Sequence, residues 1–258
     1  MTSKVEVKQL NKVKTILVSQ PLPKRSPYSG IESKYGIKVD FRSFIHVEGI
    51  SAKEFRKQKI NPEDYTAIIF TSKNSVIHFF RVCEEMRIKM SQDTKYFCTS
   101  EAIALYLQKF VVYRKRKVFF GNRTLDDLKP SLNKYKKKEK FLLPSSSLGK
   151  PDFSSFLTKG EFDFEEAVLY QTVSSDLSDL SDITYDMLVF FSPFSIQSLF
   201  ENFPDFKQNE TRIAAYGNST RQAVLDKGLT LDIQAPTKES YSMTAAIESY
   251  LKSASLEE

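Results

Sequence analysis

Hydroxyl-bearing residues recur in this sequence where a short apolar run ends and a segment of helical period begins. They occur in the loops at 71–72, 99–100, 122–124, 192, 218–220 and 237–240, in some cases with Asn or Gly beside them. Such residues cap helices, because their side chains accept hydrogen bonds from free N–H groups. Several helix starts at one edge of a sheet also present N–H groups and positive dipole ends, which favour anions. The pattern therefore predicts a site for an anionic ligand, with carboxylates as the charged groups.

The motifs of several common enzyme classes do not occur. No G-x-G-x-x-G follows a strand and no G-x-x-x-x-G-K-[ST] is present, which argues against dinucleotides and nucleoside triphosphates. His46 and His78 are the only histidines, and Cys83 and Cys98 form no C-x-x-C pair, so no metal site is predicted. Residues 145–149 read Ser-Ser-Ser-Leu-Gly, which is not a nucleophile elbow. A paired cysteine and histidine stays an open alternative.

Tyr170 lies in the β-rich segment 165–173, which is predicted to cross between two domains. In that position the side chain would face the cleft between the domains. Two interpretations stay open at this point. The ring packs against a linker, or the hydroxyl acts on a ligand.

The elements that must position these residues are short apolar runs and amphipathic helices. The runs at 66–70 and 187–191 have no polar alternate face, which is typical of strands covered by helices on both sides. The first run is followed by a helix stripe at i, i+3, i+4, i+7 spacing: Val76, Phe79, Phe80 and Cys83. His78 falls outside this stripe, and we interpret it as a partly exposed helix residue. The alternation predicts an α/β protein with parallel sheets.

A strand–loop–helix unit recurs three times in each half of the chain. The units begin at residues 69, 96 and 119 and again at 190, 213 and 234. This spacing predicts two similar three-layer α/β domains joined by a two-stranded β linker. We predict a discontinuous domain 1 of residues 1–37 and 173–258. The predicted linkers are 38–49 and 167–172, and residues 50–166 would form the inserted domain 2.

Length and composition bound the class of protein. The chain has 258 residues, 41% hydrophobic and 27% charged, which suits one large or two ordinary domains. No apolar run reaches the roughly 20 residues of a membrane span. Residues 1–12 lack the apolar core of a signal peptide. Two unrelated cysteines and these absences predict a reduced, cytoplasmic location.

Charge is divided unevenly along the chain. Residues 1–140 carry 30 Lys and Arg against 14 Asp and Glu, whereas residues 141–258 carry 8 against 18. The basic runs at 114–117 and 136–138 permit three interpretations: a nucleic-acid face, a small polyanionic ligand, or solvated surface lysines. Aromatic residues do not interleave with these runs as stacking platforms would, which disfavours nucleic acid.

The sequence resembles the uroporphyrinogen-III synthase family over nearly its whole length. The segments that carry the resemblance are Pro-Glu-Asp-Tyr-Thr-Ala-Ile-Ile-Phe-Thr-Ser at 62–72, Leu-Tyr-Gln-Thr-Val at 169–173, Phe-Phe-Ser-Pro at 190–193, Ala-Tyr-Gly-Asn-Ser-Thr at 215–220 and Ala-Pro-Thr at 235–237. Each is weak alone, but their order and spacing are fairly specific. The resemblance implies two α/β domains joined by a two-stranded ladder.

The resemblance also implies a lyase that needs no cofactor. Its substrate would be hydroxymethylbilane, a linear tetrapyrrole with many carboxylates, which loses a hydroxyl as water and closes with inversion of the terminal ring. The residues that match the family's substrate loops are Thr71, Ser72, Ser192, Gly217, Ser219 and Thr220. Tyr170 matches the tyrosine thought to assist departure of the hydroxyl. A monomer that binds neither nucleic acid nor membrane is expected.

One loop departs from the family pattern. A glycine and a threonine usually follow the second strand of the inserted domain, but this chain has Thr99, Ser100, Glu101 and Ala102 there. Glu101 would repel a carboxylate, so this loop either avoids the substrate or uses Thr99 and Ser100 alone. Two alternatives of other classes stay open: a binding protein for an anionic small molecule, and then a nucleic-acid-binding module.

Overall fold

Short buried strands alternate with helices along the computed structural model of the chain, which describes residues 12–122, 124–149, 151–181 and 183–255. The chain divides into two compact units at residues 46/47 and 172/173. Unit 1 contains the chain before the first of these points and after the second. Unit 2 contains the chain between them.

The strands and helices follow one another in the order that a parallel α/β protein requires. The strands are β1 (Thr15–Val18), β2 (Lys38–Phe41), β3 (Ile45–Gly49), β4 (Ala67–Phe70), β5 (Lys95–Cys98), β6 (Val118–Phe120), β7 (Phe141–Ser146), β8 (Phe164–Ser174), β9 (Met187–Phe190), β10 (Arg212–Tyr216) and β11 (Ile233–Ala235). The helices are α1 (Ser29–Tyr35), α2 (Ala52–Arg56), α3 (Lys73–Glu85), α4 (Glu101–Leu107), α5 (Leu125–Tyr135), α6 (Pro151–Lys159), α7 (Pro193–Asn202), α8 (Asn218–Asp226) and α9 (Met243–Ser255).

Each unit is built on a sheet of parallel strands. The sheet of unit 1 has the order β11-β10-β9-β1-β2, and every neighbouring pair is parallel. The N-terminal strand β1 therefore lies among strands of the C-terminal part of the chain. The second sheet has the order β3-β8-β7-β4-β5-β6, and the pairs from β8 to β6 are parallel.

Helices cover both faces of each sheet, because the central strands are apolar on both sides. Ile68 and Phe70 of β4 pack in one buried cluster with α3 and α4. Ala67 and Ile69, which point to the opposite face, pack in another with α5 and α6. The same alternation divides β9 between a cluster with α1 and α9 and a cluster with α7 and α8. The predicted α/β class, with parallel sheets in two similar domains, is confirmed.

The two sheets have the same strand order when one unit is read as a permutation of the other. In unit 1 the order β2-β1-β9-β10-β11 corresponds to β8-β7-β4-β5-β6 in unit 2. Chain order reverses between β1 and β9 in unit 1 and between β7 and β4 in unit 2. Ligands of open α/β sheets bind at such switch points, outside the carboxyl ends of the strands. The topology therefore indicates where each unit would bind a ligand.

Residues 38–49, the first predicted linker, contain two separate strands. Residues 38–41 form β2, an edge strand of the unit 1 sheet, and residues 45–49 form β3. The strand is interrupted because Phe44 turns into the core, where it is 1% exposed. Its carbonyl accepts a hydrogen bond from Ser198 Oγ at 2.5 Å. Strand β3 neighbours β8, which contains residues 167–172 of the second predicted linker.

Candidate functional site

The carboxyl end of β4 leads directly into the N-terminus of α3. Ser72 is the residue before the helix, and its Oγ accepts a hydrogen bond from the Ser75 N–H at 3.0 Å. Ser75 Oγ in turn accepts from the Ser72 N–H at 3.2 Å. This reciprocal pair satisfies two N–H groups and fixes the start of a 13-residue helix. The positive end of the α3 dipole thus lies at the switch point of unit 2.

The hydroxyl of Thr71 is buried without a hydrogen-bond partner beside this helix start. The Thr71 carbonyl accepts from Thr99 Oγ1 at 3.3 Å, so the backbone on this side is already satisfied. An unpaired buried hydroxyl costs free energy that a polar ligand would recover. Thr71 Oγ1 is therefore an unsatisfied polar atom next to the start of α3.

Tyr170 reaches the same helix start from β8. Its hydroxyl lies 3.1 Å from Ser72 Oγ, and its carbonyl accepts from the Ser147 N–H at 2.9 Å. The residue is 6% exposed, and burial raises the pKa of its phenol above the ordinary value, so the phenol is protonated at neutral pH. Ser72 Oγ accepts from Ser75, and its own proton can be donated to the Tyr170 oxygen. That arrangement leaves the phenol O–H available to a ligand.

His78 is a residue of this site that the sequence analysis missed. Its ring stacks on the Tyr170 ring at 5.1 Å between centroids and 22° between planes. Its Nδ1 accepts a hydrogen bond from Arg81 Nε at 3.3 Å. The signal that could have found it is the spacing Ser72, Ser75, His78, because residues three apart on a helix share one face.

In unit 1, Ser192 occupies the position that corresponds to Ser72. It precedes α7, and its Oγ accepts from the Phe194 N–H at 3.2 Å. Pro193 fills the first helical position, where a missing N–H costs nothing. The start of α7 therefore lies at the end of β9, one of the two strands of the unit 1 switch point.

Gly217 precedes α8 with φ +86° and ψ 154°, angles that only glycine adopts readily. Gly217 supplies no side-chain cap, so the first N–H groups of α8 lack a capping side chain at this position. Ser219 is exposed in the first turn, whereas Thr220 is 1% exposed and its side chain belongs to the core. A Cβ at Gly217 would meet nothing within 4 Å. There is space for an anion at the start of α8. The groups that would bind it there are backbone N–H groups rather than side chains.

Ser19 is a second residue that the sequence analysis missed. It follows β1 at the switch point of unit 1, where its N–H donates to the Val189 carbonyl at 2.9 Å. Its hydroxyl is buried without a partner, as that of Thr71 is in unit 2. Nothing in the local sequence marks this serine, because its significance depends on the strand order.

The loop that departs from the family pattern has little to offer a ligand. Thr99 is buried and its hydroxyl is bonded to the Thr71 carbonyl. Ser100 precedes α4 without a side-chain hydrogen bond to the helix, and Glu101 is exposed in the first turn. The Glu101 carboxylate already interacts with the positive end of the α4 dipole, where an anionic ligand would otherwise bind.

The basic run 114–117 lies at the other edge of the unit 2 sheet, where β5 and β6 begin. Arg114 donates to Gln92 Oε1 at 3.0 Å, and Lys117 pairs with Asp93 at 2.5 Å. Gln92, Arg114 and Lys117 border a cavity of about 320 Å³. The run lies where the parallel strands begin, whereas Thr71 and Tyr170 lie towards the carboxyl ends of their strands. The run is therefore remote from both residues.

Neither a metal-ligand cluster nor a membrane-spanning helix occurs in the residues that the structure describes. No group of three His, Cys, Asp or Glu side chains in that part of the chain is arranged to hold a metal ion. None of its helices combines the length and apolar character needed to cross a bilayer.

Substituting Ser72 with alanine should lower the free energy of unfolding by about 1 kcal/mol, the usual effect of losing a helix cap. It should also lower any turnover that depends on the Tyr170 hydroxyl, because that hydroxyl loses its neighbour at 3.1 Å. Thr124→Ala is the matched control, since Thr124 and Asp127 form the same reciprocal cap on α5. Melting and turnover of both variants should show equal stability losses but an activity loss only for Ser72→Ala. Equal activities would contradict a role for Ser72 beyond capping.

Comparison with known proteins gives a single family. The family model described as "Uroporphyrinogen-III synthase HemD" matches residues 27–245. No curated protein sequence matches the chain directly.

Solved structures of low sequence identity share the fold. A uroporphyrinogen-III synthetase from Helicobacter pylori is 17% identical, with a TM-score of 0.58 over 93% of this chain and 99% of that one. A mutant uroporphyrinogen III synthase from the extremely thermophilic bacterium Thermus thermophilus is 14% identical, with a TM-score of 0.51 over 95% of this chain and 100% of that one.

Proposed function

This chain belongs to the uroporphyrinogen-III synthase family, and we propose that it cyclises hydroxymethylbilane to uroporphyrinogen III. In this reaction a hydroxyl leaves as water, the terminal pyrrole ring inverts and the macrocycle closes. The proposed class is a hydro-lyase of porphyrin and heme biosynthesis. The match over residues 27–245 supports it, and neither alternative from the sequence analysis has comparable support.

The observation that supports the chemistry is the hydroxyl pair of Tyr170 and Ser72 at the start of α3. Loss of the substrate hydroxyl breaks a C–O bond, and the departing oxygen must gain a proton to leave as water. The protonated phenol of Tyr170 would donate to that oxygen, while Ser72 donates to the phenol oxygen. The proposed catalytic residue is Tyr170.

Binding would depend on the helix starts at the carboxyl ends of the strands. The proposed binding residues are Thr71, Ser72, Ser192, Gly217, Ser219 and Thr220. The start of α8, which has no side-chain cap, suits a carboxylate, and the unpaired hydroxyl of Thr71 lies beside the start of α3. Thr220 would act only through its backbone, because its side chain is buried. Groups of this kind would hold a flexible substrate through its carboxylates in the reactive geometry.

We also propose that the protein acts as a cytoplasmic monomer, without a cofactor or nucleic acid. Cys83 and Cys98 are buried free thiols, and burial raises the pKa of each to about 12, so both are kept unreactive. Light scattering of the purified protein would test the monomer directly.

The decisive experiment supplies the purified protein with hydroxymethylbilane and separates the oxidised products by isomer. The expected result is the inverted isomer in excess over the protein-free control, in which the ring closes without inversion. An isomer ratio equal to the control would exclude the enzyme, and binding measured by calorimetry would then favour a binding protein. Steep salt-dependent retention on random DNA would favour the nucleic-acid alternative.

A further inference from the structure

We infer that His78 is a positioning residue for Tyr170, which fixes the direction in which the phenol O–H points. The inference rests on the proposed function, since it assigns a role within the same site. It concerns a residue that lies on α3 outside the helix stripe facing the core.

The contact between the two rings restricts Tyr170 from one side. The ring centroids are 5.1 Å apart and the planes are 22° from parallel, so the imidazole covers the face of the phenol ring. The phenol oxygen is at the far end of the side chain, so a small tilt of the ring about Cβ displaces the oxygen farther than any ring atom. The imidazole on one face of the phenol ring therefore limits the movement of the Tyr170 hydroxyl. Ser72 Oγ lies 3.1 Å from the phenol oxygen.

His78 is itself held in place by Arg81. Arg81 Nε donates to His78 Nδ1 at 3.3 Å, and Arg81 Nη2 donates to the Ile50 carbonyl at 2.6 Å. A second acceptor, the Leu169 carbonyl, lies 3.5 Å from the same nitrogen, next to Tyr170 in β8. Arg81 also pairs with Glu85 one turn along the helix. The guanidinium thus ties the imidazole to the strand that carries Tyr170.

Gly49 allows this group to approach the backbone closely. A Cβ at that position would lie 2.7 Å from Arg81 Nη2 and 2.8 Å from His78 Nδ1. Both distances are shorter than real contacts permit, so a side chain there would displace the imidazole and guanidinium. The small residue and the two side chains form one packed arrangement around Tyr170.

The imidazole is held in its neutral form. A ring nitrogen that accepts from Arg81 cannot carry a proton, so the proton is on Nε2. Burial, and then the charge of Arg81, lower the pKa of His78 below its ordinary value. A neutral ring of fixed tautomer is a stable platform for stacking across the neutral pH range.

Kinetic variants separate positioning from packing. His78→Ala should lower kcat about 3–10-fold, the effect of losing one aromatic contact, with KM changed less than twofold. His78→Phe should recover most of kcat because it keeps a flat ring. Phe80→Ala is the matched control, since Phe80 lies on the same helix but stacks on Phe110 at 4.8 Å. It should lower the melting temperature and leave kcat unchanged. An unchanged kcat in His78→Ala, or an equal loss in Phe80→Ala, overturns the inference.

A double-mutant cycle tests whether His78 acts through the phenol hydroxyl. In the Tyr170→Phe background, His78→Ala should cause no further loss of kcat, because the hydroxyl that it positions is gone. A loss in the double variant that multiplies the two single losses overturns the inference.

Nuclear magnetic resonance of the protein labelled in its tyrosine rings gives a readout that needs no turnover. The Tyr170 signal is identified by its disappearance in Tyr170→Phe. It should shift and show faster ring flipping in His78→Ala, and return towards the wild-type signal in His78→Phe. If the protein fails to invert hydroxymethylbilane, this result still supports the positioning of Tyr170 while the proposed function fails. A Tyr170 signal that is identical in wild type and His78→Ala overturns the positioning itself.

Discussion

Replacing Gly217 with valine should lower production of the inverted isomer by at least about 100-fold, the loss expected when binding groups move by about 1 Å. The reason is the backbone rather than a collision. A Cβ at this position meets open space, but φ +86° with ψ 154° is a conformation that a β-branched residue does not adopt. The chain would relax by turning the peptide before α8. The uncapped N–H groups of the first helical turn would then no longer face the substrate carboxylate.

The control for this prediction is Gly228→Val, beyond the other end of α8. Gly228 also has a positive φ, +71°, with nothing within 4 Å of an added Cβ. Both valines should lower the free energy of unfolding by about 1–3 kcal/mol, the cost of holding a residue in such a region. Only Gly217→Val should lose activity, and Ser219→Ala should retain most of it because alanine keeps its N–H. Melting curves and isomer assays on the three variants check this. A Gly217→Val protein with wild-type activity would remove the start of α8 from the site.

Much of the fold is predictable from the sequence, because central strands of a parallel sheet need apolar residues on both faces. Residues 67–70 and 187–190 are such runs, and both are fully buried with helices on each side. The hydroxyl residues after them mark helix starts, as the caps at Ser72 and Ser192 show. These signals are local, and a single sequence carries them.

Other features depend on residues that are distant in sequence, and local patterns do not reveal them. Alternation in residues 39–47 suggests one strand, but Phe44 interrupts it by packing into a core that includes residues from α7 and α8. Ser19 gains significance only from the placement of β1 beside β9. The sequence predicts His78 as a partly exposed helix residue, and it is half-buried on α3. Its contact with Tyr170 is not predicted, because a helix stripe identifies only the side chains that face the core. Its partner, Tyr170, lies on β8, which begins about 90 residues further along the chain than α3 does.

Tyr170→Phe is the second variant with a large expected effect, and it tests the chemistry alone. General-acid assistance is typically worth about 10²–10⁴-fold, and the hydroxyl of this substrate departs unaided, so a loss of roughly 10–100-fold in turnover is expected. The ratio of isomers should stay unchanged, because the residues proposed to hold the tetrapyrrole are intact. Loss of the hydrogen bond to Ser72 should lower the free energy of unfolding by only about 0.5–1.5 kcal/mol.

Tyr96→Phe is the matched control for the loss of a phenol hydroxyl. Tyr96 is buried in the same unit, but it lies near the start of β5, at the edge remote from Tyr170. Its variant should show a similar small change in melting temperature and wild-type turnover. Single-turnover measurements of water loss, made on both variants, isolate the step that the phenol is proposed to assist. Suppose that the Tyr170→Phe variant removes water from the substrate at the wild-type rate, while the His78→Ala variant removes it more slowly. The Tyr170 hydroxyl is then not the proton donor. The two rings would then contribute only the shape of the site.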